Sequence, residues 1–415
     1  MTWPRRPHLS RRSFLAGAAS GLVAASVPRA SRAAGDERFL LIVFAQGGWD
    51  VNYALDPKRA PACDVPPGEI TRFAGGLTIR TAAERPSIRA FFDAHAGRSA
   101  VVNGIWVGSV AHAAARARML TGTRTRRSPD VAAIFAATEA ERRPGLALPY
   151  VDLGGGAIAG PLASHMGRVG ATNQLVTLLG GGAEQRGRKD RRQGALDDDE
   201  RAALRAFTSR RAAAAAADPG AAMLPGFQAS QERAEALRRD PELRALKTGR
   251  TTSLAQQGQL AVSLFTAGTA TAAFLDTRLD WDTHDDIDDQ GRSHEQLFAE
   301  LLEIARRLDE ADLLDRTCVA VLSEFSRTPK LNGQGGKDHW PVASALLFGG
   351  GVRPGRYGAT DERLGALPVR LDDGTPSDSA PLLKYDNFAA GILEHLGVSS
   401  RRWFNSVEPF HGPFA

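Results

Sequence analysis

The chain has 415 residues, 24% charged and 43% hydrophobic, which excludes a disordered, collagenous or coiled-coil protein and suits one large globular domain or two moderate ones. Its formal charge of +5 would suit an anionic partner, but Arg5, Arg6, Arg11, Arg12, Arg29 and Arg32 all precede residue 34, with no acid among them. Without those six of the 52 basic residues, 46 Lys and Arg face 47 Asp and Glu, and the basic footprint of a nucleic-acid binder is gone.

Those arginines belong to an export pattern. Ser10-Arg11-Arg12-Ser13-Phe14-Leu15-Ala16 puts two arginines ahead of an apolar, Gly/Ala-rich run from Phe14 to Val27, and Ser31-Arg32-Ala33 supplies a small-x-small cleavage site. The pattern predicts a twin-arginine signal over residues 1–33, passage through the machinery that exports folded proteins, and a periplasmic or secreted product. An N-terminal membrane anchor is the alternative, but the run falls short of the ~20 apolar residues of a spanning helix. No later segment is long and apolar enough to span.

From residue 34 on, continuous apolar runs alternate with helical patterns. Phe39 to Ala45, Ser99 to Ile105, Tyr150 to Leu153, Ala272 to Leu275, Thr317 to Phe325 and Ala343 to Phe348 read as strands buried on both faces of a parallel sheet. Ser293 to Leu308 reads as a helix, with Ser293 as N-cap and Leu297, Leu301, Ile304 and Leu308 on one face. The alternation predicts an α/β fold, a three-layer sandwich around a mostly parallel sheet, with ligands bound at the polar strand ends. One segment, about 180–246, breaks the alternation with mixed charges, the cluster Asp197-Asp198-Asp199-Glu200 and six alanines. It reads as a helical insertion, the acids suiting a helix first turn. Cys63 and Cys318 read as two free or buried thiols, with no spacing that resembles a cysteine metal site.

Four features stand at strand ends. Asp50 follows the first strand and two glycines. Asp280-Trp281-Asp282-Thr283-His284-Asp285-Asp286 crowds carboxylates and an imidazole into one loop, which a cation would neutralise; Asp285 where the turn glycine belongs excludes an EF-hand. The apolar strand from Thr317 ends in Ser323-Glu324-Phe325-Ser326-Arg327-Thr328-Pro329, and a glycine-rich loop leads to Lys337-Asp338-His339-Trp340-Pro341. An exposed acidic loop and a surface Glu324–Arg327 pair are the plainer alternatives.

Gly47-Gly48-Trp49-Asp50, Asp282-Thr283-His284, Ser323 to Pro329 and Gly335 to Trp340, in this order behind a twin-arginine signal, resemble the exported bacterial family catalogued as DUF1501, a domain of unknown function grouped with the alkaline phosphatase and sulfatase superfamily. The resemblance spans about Phe39 to Val398, with a closing segment from Tyr385 to Val398 similar to the last helix of sulfatase-like domains. It implies a divalent metal, zinc first and manganese or calcium as the other choices, held among Asp50, Asp280, Asp282, His284, Glu324, Asp338 and His339. Superfamily members usually hold two metals. Here Phe325 stands where a second histidine ligand is expected, and the segment from His112 to Gly122, which resembles the nucleophile helix, begins with histidine rather than Ser, Thr or Cys.

The resemblance therefore implies an exported metal-dependent hydrolase of a phosphate or sulfate ester, with an anionic small molecule or glycan as substrate and no nucleic acid. His112 would be a ligand, an acid/base or a nucleophile; Arg116 or Arg327 would hold the anionic group. The rival expectation is an exported binding protein that keeps the fold and one metal, at Asp282, His284 and His339, without the reaction.

Overall fold

The structure, a computed structural model, describes residues 37–125, 127–143, 146–168, 198–214 and 253–414. The export segment 1–33 lies outside them. Among the described residues the strands are β1 (Phe39–Phe44), β2 (Glu69–Arg72), β3 (Thr78–Thr81), β4 (Ser99–Trp106), β5 (Tyr150–Asp152), β6 (Met166–Arg168), β7 (Ala272–Asp276), β8 (Thr317–Leu322), β9 (Ser326–Arg327), β10 (His339–Trp340), β11 (Val342–Gly349) and β12 (Gly355–Gly358). Helices are α1 (Pro86–His95), α2 (His112–Thr121), α3 (Val131–Arg142), α4 (Asp198–Ala214), α5 (Leu254–Thr266), α6 (Asp288–Glu310) and α7 (Tyr385–His395).

Eight strands form the central sheet in the order β12-β4-β11-β8-β1-β7-β5-β6. β1 is parallel to both β7 and β8, and β11 alone runs antiparallel to its neighbours β4 and β8. Every residue of β1 is buried, and its side chains alternate between two cores: Phe39, Leu41 and Val43 on one face, Leu40, Ile42 and Phe44 on the other. The first core is closed by Phe91 and Phe92 of α1, Leu264 of α5 and Leu297 and Leu301 of α6; the second by Met119 of α2, Ile134 and Phe135 of α3 and Phe388 of α7. The molecule is thus the three-layer α/β sandwich around a mostly parallel sheet that the apolar runs imply.

The start of α6 differs from expectation. Ser293 lies inside the helix, which opens at Asp288, five residues earlier. Asp288 and Asp289 occupy the first turn, where negative charge is favoured, and the Ser293 hydroxyl donates instead to the Asp280 carbonyl at 3.0 Å. Of the insertion expected over 180–246, the described part is α4, which opens on the acidic cluster; the rest lies outside the described residues. Both cysteines are buried and free. Among the described residues no helix is long and apolar enough to cross a membrane.

Candidate functional site

Parallel strands β1, β7 and β8 end side by side, so the loops after Phe44, Asp276 and Leu322 share one edge of the sheet. The β9–β10 ribbon pairs His339 with Arg327 and brings the glycine-rich loop to the same edge. Two glycines permit the close packing there. Gly48 sits at φ +88°, where a Cβ would strike the ring of Phe325, and a Cβ on Gly336 would strike the carbonyl of His284.

Asp282 is the hub. Its Oδ1 lies 3.2 Å from His284 Nε2, 3.1 Å from His339 Nε2 and 2.6 Å from Arg327 Nη2, and its Oδ2 lies 3.2 Å from His112 Nε2. Burial opposes its charge, but hydrogen bonds from Arg327 and His339 and the charges of Arg327 and His112 outweigh it and hold the carboxyl at about 2. Each imidazole has its other nitrogen anchored. His339 Nδ1 donates to the Val110 carbonyl at 2.7 Å, His284 Nδ1 lies 3.2 Å from Asp338 Oδ1, and His112 Nδ1 lies 2.8 Å from Glu324 Oε1. The hydrogen bond to Glu324 raises the pKa of His112.

These anchors fix the tautomers. With Nδ1–H donated, neutral rings would set the Nε2 lone pairs of His284 and His339 against each other only 2.9 Å apart; a second proton on His339, donated to Asp282, or a cation in its place relieves this. Ligands about 2.0–2.2 Å from a tetrahedral zinc ion stand roughly 3.3 Å apart, close to the separations from Asp282. Among the described residues, ligand atoms of His112, Asp282 and His339 all lie within 4.8 Å of one another. The donor set fits a divalent metal.

The remaining expected residues divide. Glu324 is fully buried and accepts from His112, from the Gly47 amide and from the Ser323 hydroxyl. Asp338 sits behind His284, its charge favoured by hydrogen bonds from Asn332 and then His284. Asp280 accepts from the Asp282 amide, a local turn contact. Asp50 stands apart from the cluster: its Oδ2 is 2.6 Å from the ammonium of Lys337, and both residues are buried. Arg327 is fully buried, and its guanidinium donates to the carbonyls of Gly47, Gly48, Trp281 and Lys337 besides Asp282. It braces the loops. Arg116, one turn after His112, is half-buried and donates to Gln46 Oε1 and the Gly156 carbonyl. Phe325 packs its ring 4.4 Å from that of His339 and 5.0 Å from that of His112.

Two residues that hold the site were not singled out from sequence. Lys337 is one. Gln290 is the other: its amide donates to the Trp281 carbonyl and Thr283 hydroxyl and accepts from the Asp50 amide, tying two site loops to α6. The signal was a polar residue on the apolar stripe of α6, four before His294 and seven before Leu297. His294 on that stripe belongs to the core: it stacks on Trp49 and Tyr53, and burial pushes its pKa down to about 4.

Residues 38–408 match the family described as "Protein of unknown function (DUF1501)". No curated protein matches the chain. Solved structures similar to it include a protein in the alkaline phosphatase superfamily from Vibrio parahaemolyticus, with 9% identity, 87% of this chain and 67% of that one covered, and a TM-score of 0.37. The lipoteichoic acid synthase of Listeria monocytogenes shares 9% identity over 90% of this chain and 74% of its own, with a TM-score of 0.38. A protein from a Bacteroides thetaiotaomicron locus for metabolism of multiple glycosaminoglycans shares 10% identity over 90% and 76%, with a TM-score of 0.40.

Proposed function

The chain belongs to the DUF1501 family, and from that premise and the geometry of the cluster we propose that it is an exported metal-dependent hydrolase of phosphate or sulfate esters. The observation that carries the reading is the shared orientation of three imidazoles. His112, His284 and His339 each commit Nδ1 to an oxygen and turn Nε2 toward Asp282. Asp282, His284 and His339 would hold the cation, zinc first and manganese or calcium after it. Bound there, it would supply Lewis-acid polarisation of an ester oxygen.

His112 handles the proton. Buried Glu324 orients the ring through Nδ1 and stabilises its charged form, so that Nε2 can take a proton from an attacking water or return one to the leaving oxygen. Arg116 lies one helical turn further along α2 and is the cation placed to hold an anionic ester, on a small molecule or a glycan; Arg327 keeps Asp282 charged and in place.

Residues 34–415 should therefore hydrolyse p-nitrophenyl phosphate or p-nitrophenyl sulfate, lose activity to a chelator and regain it with zinc. His112→Ala should lower kcat by roughly 100- to 10,000-fold. A metal-loaded protein that turns over neither ester would favour the second reading, a binding protein that keeps the metal without the reaction. The buried ring of Phe325 against His112 and His339 supports that reading.

Export by the twin-arginine route is part of the proposal, supported by Arg11-Arg12 and the short apolar run behind them. An Arg11→Lys, Arg12→Lys double variant should leave precursor in the cytoplasm. Unchanged export of that variant would overturn it.

A further inference from the structure

A second cleft, of about 480 Å³, opens between the first turns of α6 and the loops before α1, lined in part by Tyr53, Pro67, Glu84, Arg85, Asp288 and Gly291. Its volume lies within the range of small-molecule sites. It shares no residue with the Asp282 cluster.

Arg85 is only 3% exposed, yet among the described residues it has no carboxylate partner within ion-pair distance and its side chain makes one hydrogen bond, from Nη2 to the Pro67 carbonyl at 2.7 Å. Its Nε is buried without a partner, and the guanidinium lies 5.1 Å over the Tyr53 ring. Buried arginines are ordinarily paired or fully hydrogen-bonded. Arg80 is equally buried without a carboxylate, but it donates to the Asn52, Lys58 and Gly68 carbonyls and to the Asn52 side chain. Arg85 lacks such a set: its Nε is buried without a partner, its Nη1 makes no hydrogen bond among the described residues, and the residue lines the cleft.

Gly291 is an independent sign. It lies inside α6, where glycine costs about 0.5–1 kcal/mol relative to alanine. A Cβ there would stand 3.4 Å from Tyr53 Cε1 and 3.8 Å from Arg85 Nη1, in van der Waals contact with both, and Gly291 itself lines the cleft, so a longer side chain would compete with a ligand for the space beside the guanidinium.

Other charges in the lining select the ligand. Glu84 and Asp288 are exposed, and neither forms an ion pair within the described structure; Glu295, also in the lining, accepts from the Ser87 amide and hydroxyl. Arg292, the other cation of the lining, is paired with Asp289, so Glu84, Asp288 and Glu295 still disfavour a doubly charged phosphate or sulfate, whereas the buried guanidinium attracts one carboxylate. We propose that this cleft binds a small zwitterion of the amino-acid class, its carboxylate on Arg85 and its ammonium toward Glu84 and Asp288.

Isothermal titration calorimetry of residues 34–415 tests the proposal, with L-alanine and L-lysine as zwitterions, sodium acetate as the carboxylate alone, and inorganic phosphate. At least one amino acid should bind with one site per chain, at least about tenfold more tightly than acetate or phosphate. Arg85→Met should abolish that binding. So should Gly291→Leu, which fills the cleft while improving helix propensity and so keeps the test valid should Arg85→Met unfold the chain. Phosphate or acetate binding as tightly as the amino acid, binding retained in either folded variant, or no amino acid bound at about 10 mM, where a Kd of 1 mM would saturate the site, would overturn it.

Discussion

Lys337→Met should cost the folded protein about 3–5 kcal/mol, the range for removing one partner of a buried ion pair. The Lys337 ammonium is 2.6 Å from Asp50 Oδ2, in a place where the two residues are 1% and 0% exposed. Methionine matches the volume of the lysine stem but leaves the Asp50 carboxylate buried with the Asn52 amide as its remaining donor, at 3.0 Å. Lys337 also sits two residues before His339, so the variant loosens the loop that delivers a candidate ligand. The double variant Lys337→Met, Asp50→Asn removes both charges while keeping an oxygen for the Asn52 amide, and should recover more than half of the loss. Urea unfolding midpoints of the three proteins read this directly. A cost below about 1 kcal/mol for Lys337→Met would mean that the pair behaves like a surface salt bridge, and the assignment of Asp50 to Lys337 would fail.

That pair marks a limit of reading the chain as a string. Asp50 and Lys337 are 287 positions apart, and no local pattern tells a carboxylate bound for a cation from one bound for a distant ammonium. What was legible follows from local physics. Strand β1 is apolar throughout because both of its faces are covered, so a continuous run betrays it. Asp282, His284 and His339 stand out because ligand-type side chains crowd at strand ends, where the fold opens. The direction of β11 was hidden, since an apolar run reads the same parallel or antiparallel. Strands β6 and β12 span three and four residues, too few for any periodicity. The helix start was misplaced because Ser293 offers a capping signal, whereas the acids of the preceding turn act through the helix dipole. The anchors of the imidazoles were hardest to foresee, since the Val110 carbonyl that orients His339 is backbone and carries no mark in the sequence.

Purified residues 34–415 should carry one firmly held divalent cation per chain, and Asp282→Ala should weaken its binding by more than the 10- to 100-fold that loss of an outer-shell partner costs. Asp282 is the residue on which the Nε2 atoms of both other proposed ligands, His284 and His339, converge, so its loss removes the carboxylate that holds the donor set together. A second ion would need ligands on the side of Glu324 and Asp50, and those groups are engaged: Glu324 by His112, Gly47 and Ser323, and Asp50 by Lys337. Phe325 lines the same side with a ring that cannot coordinate. His112→Ala should then leave metal content nearly unchanged while lowering kcat by the roughly 100- to 10,000-fold of a lost acid/base, which separates a proton-handling histidine from a ligand. Elemental analysis of wild type and both variants, with zinc, manganese and calcium offered in turn, gives the stoichiometry. Two fully occupied ions about 4 Å apart, as in two-metal hydrolases, would refute the single-site reading, detach Asp50 or Glu324 from its present partner, and restore the symmetric clamp on attacking and leaving oxygens that this arrangement otherwise lacks.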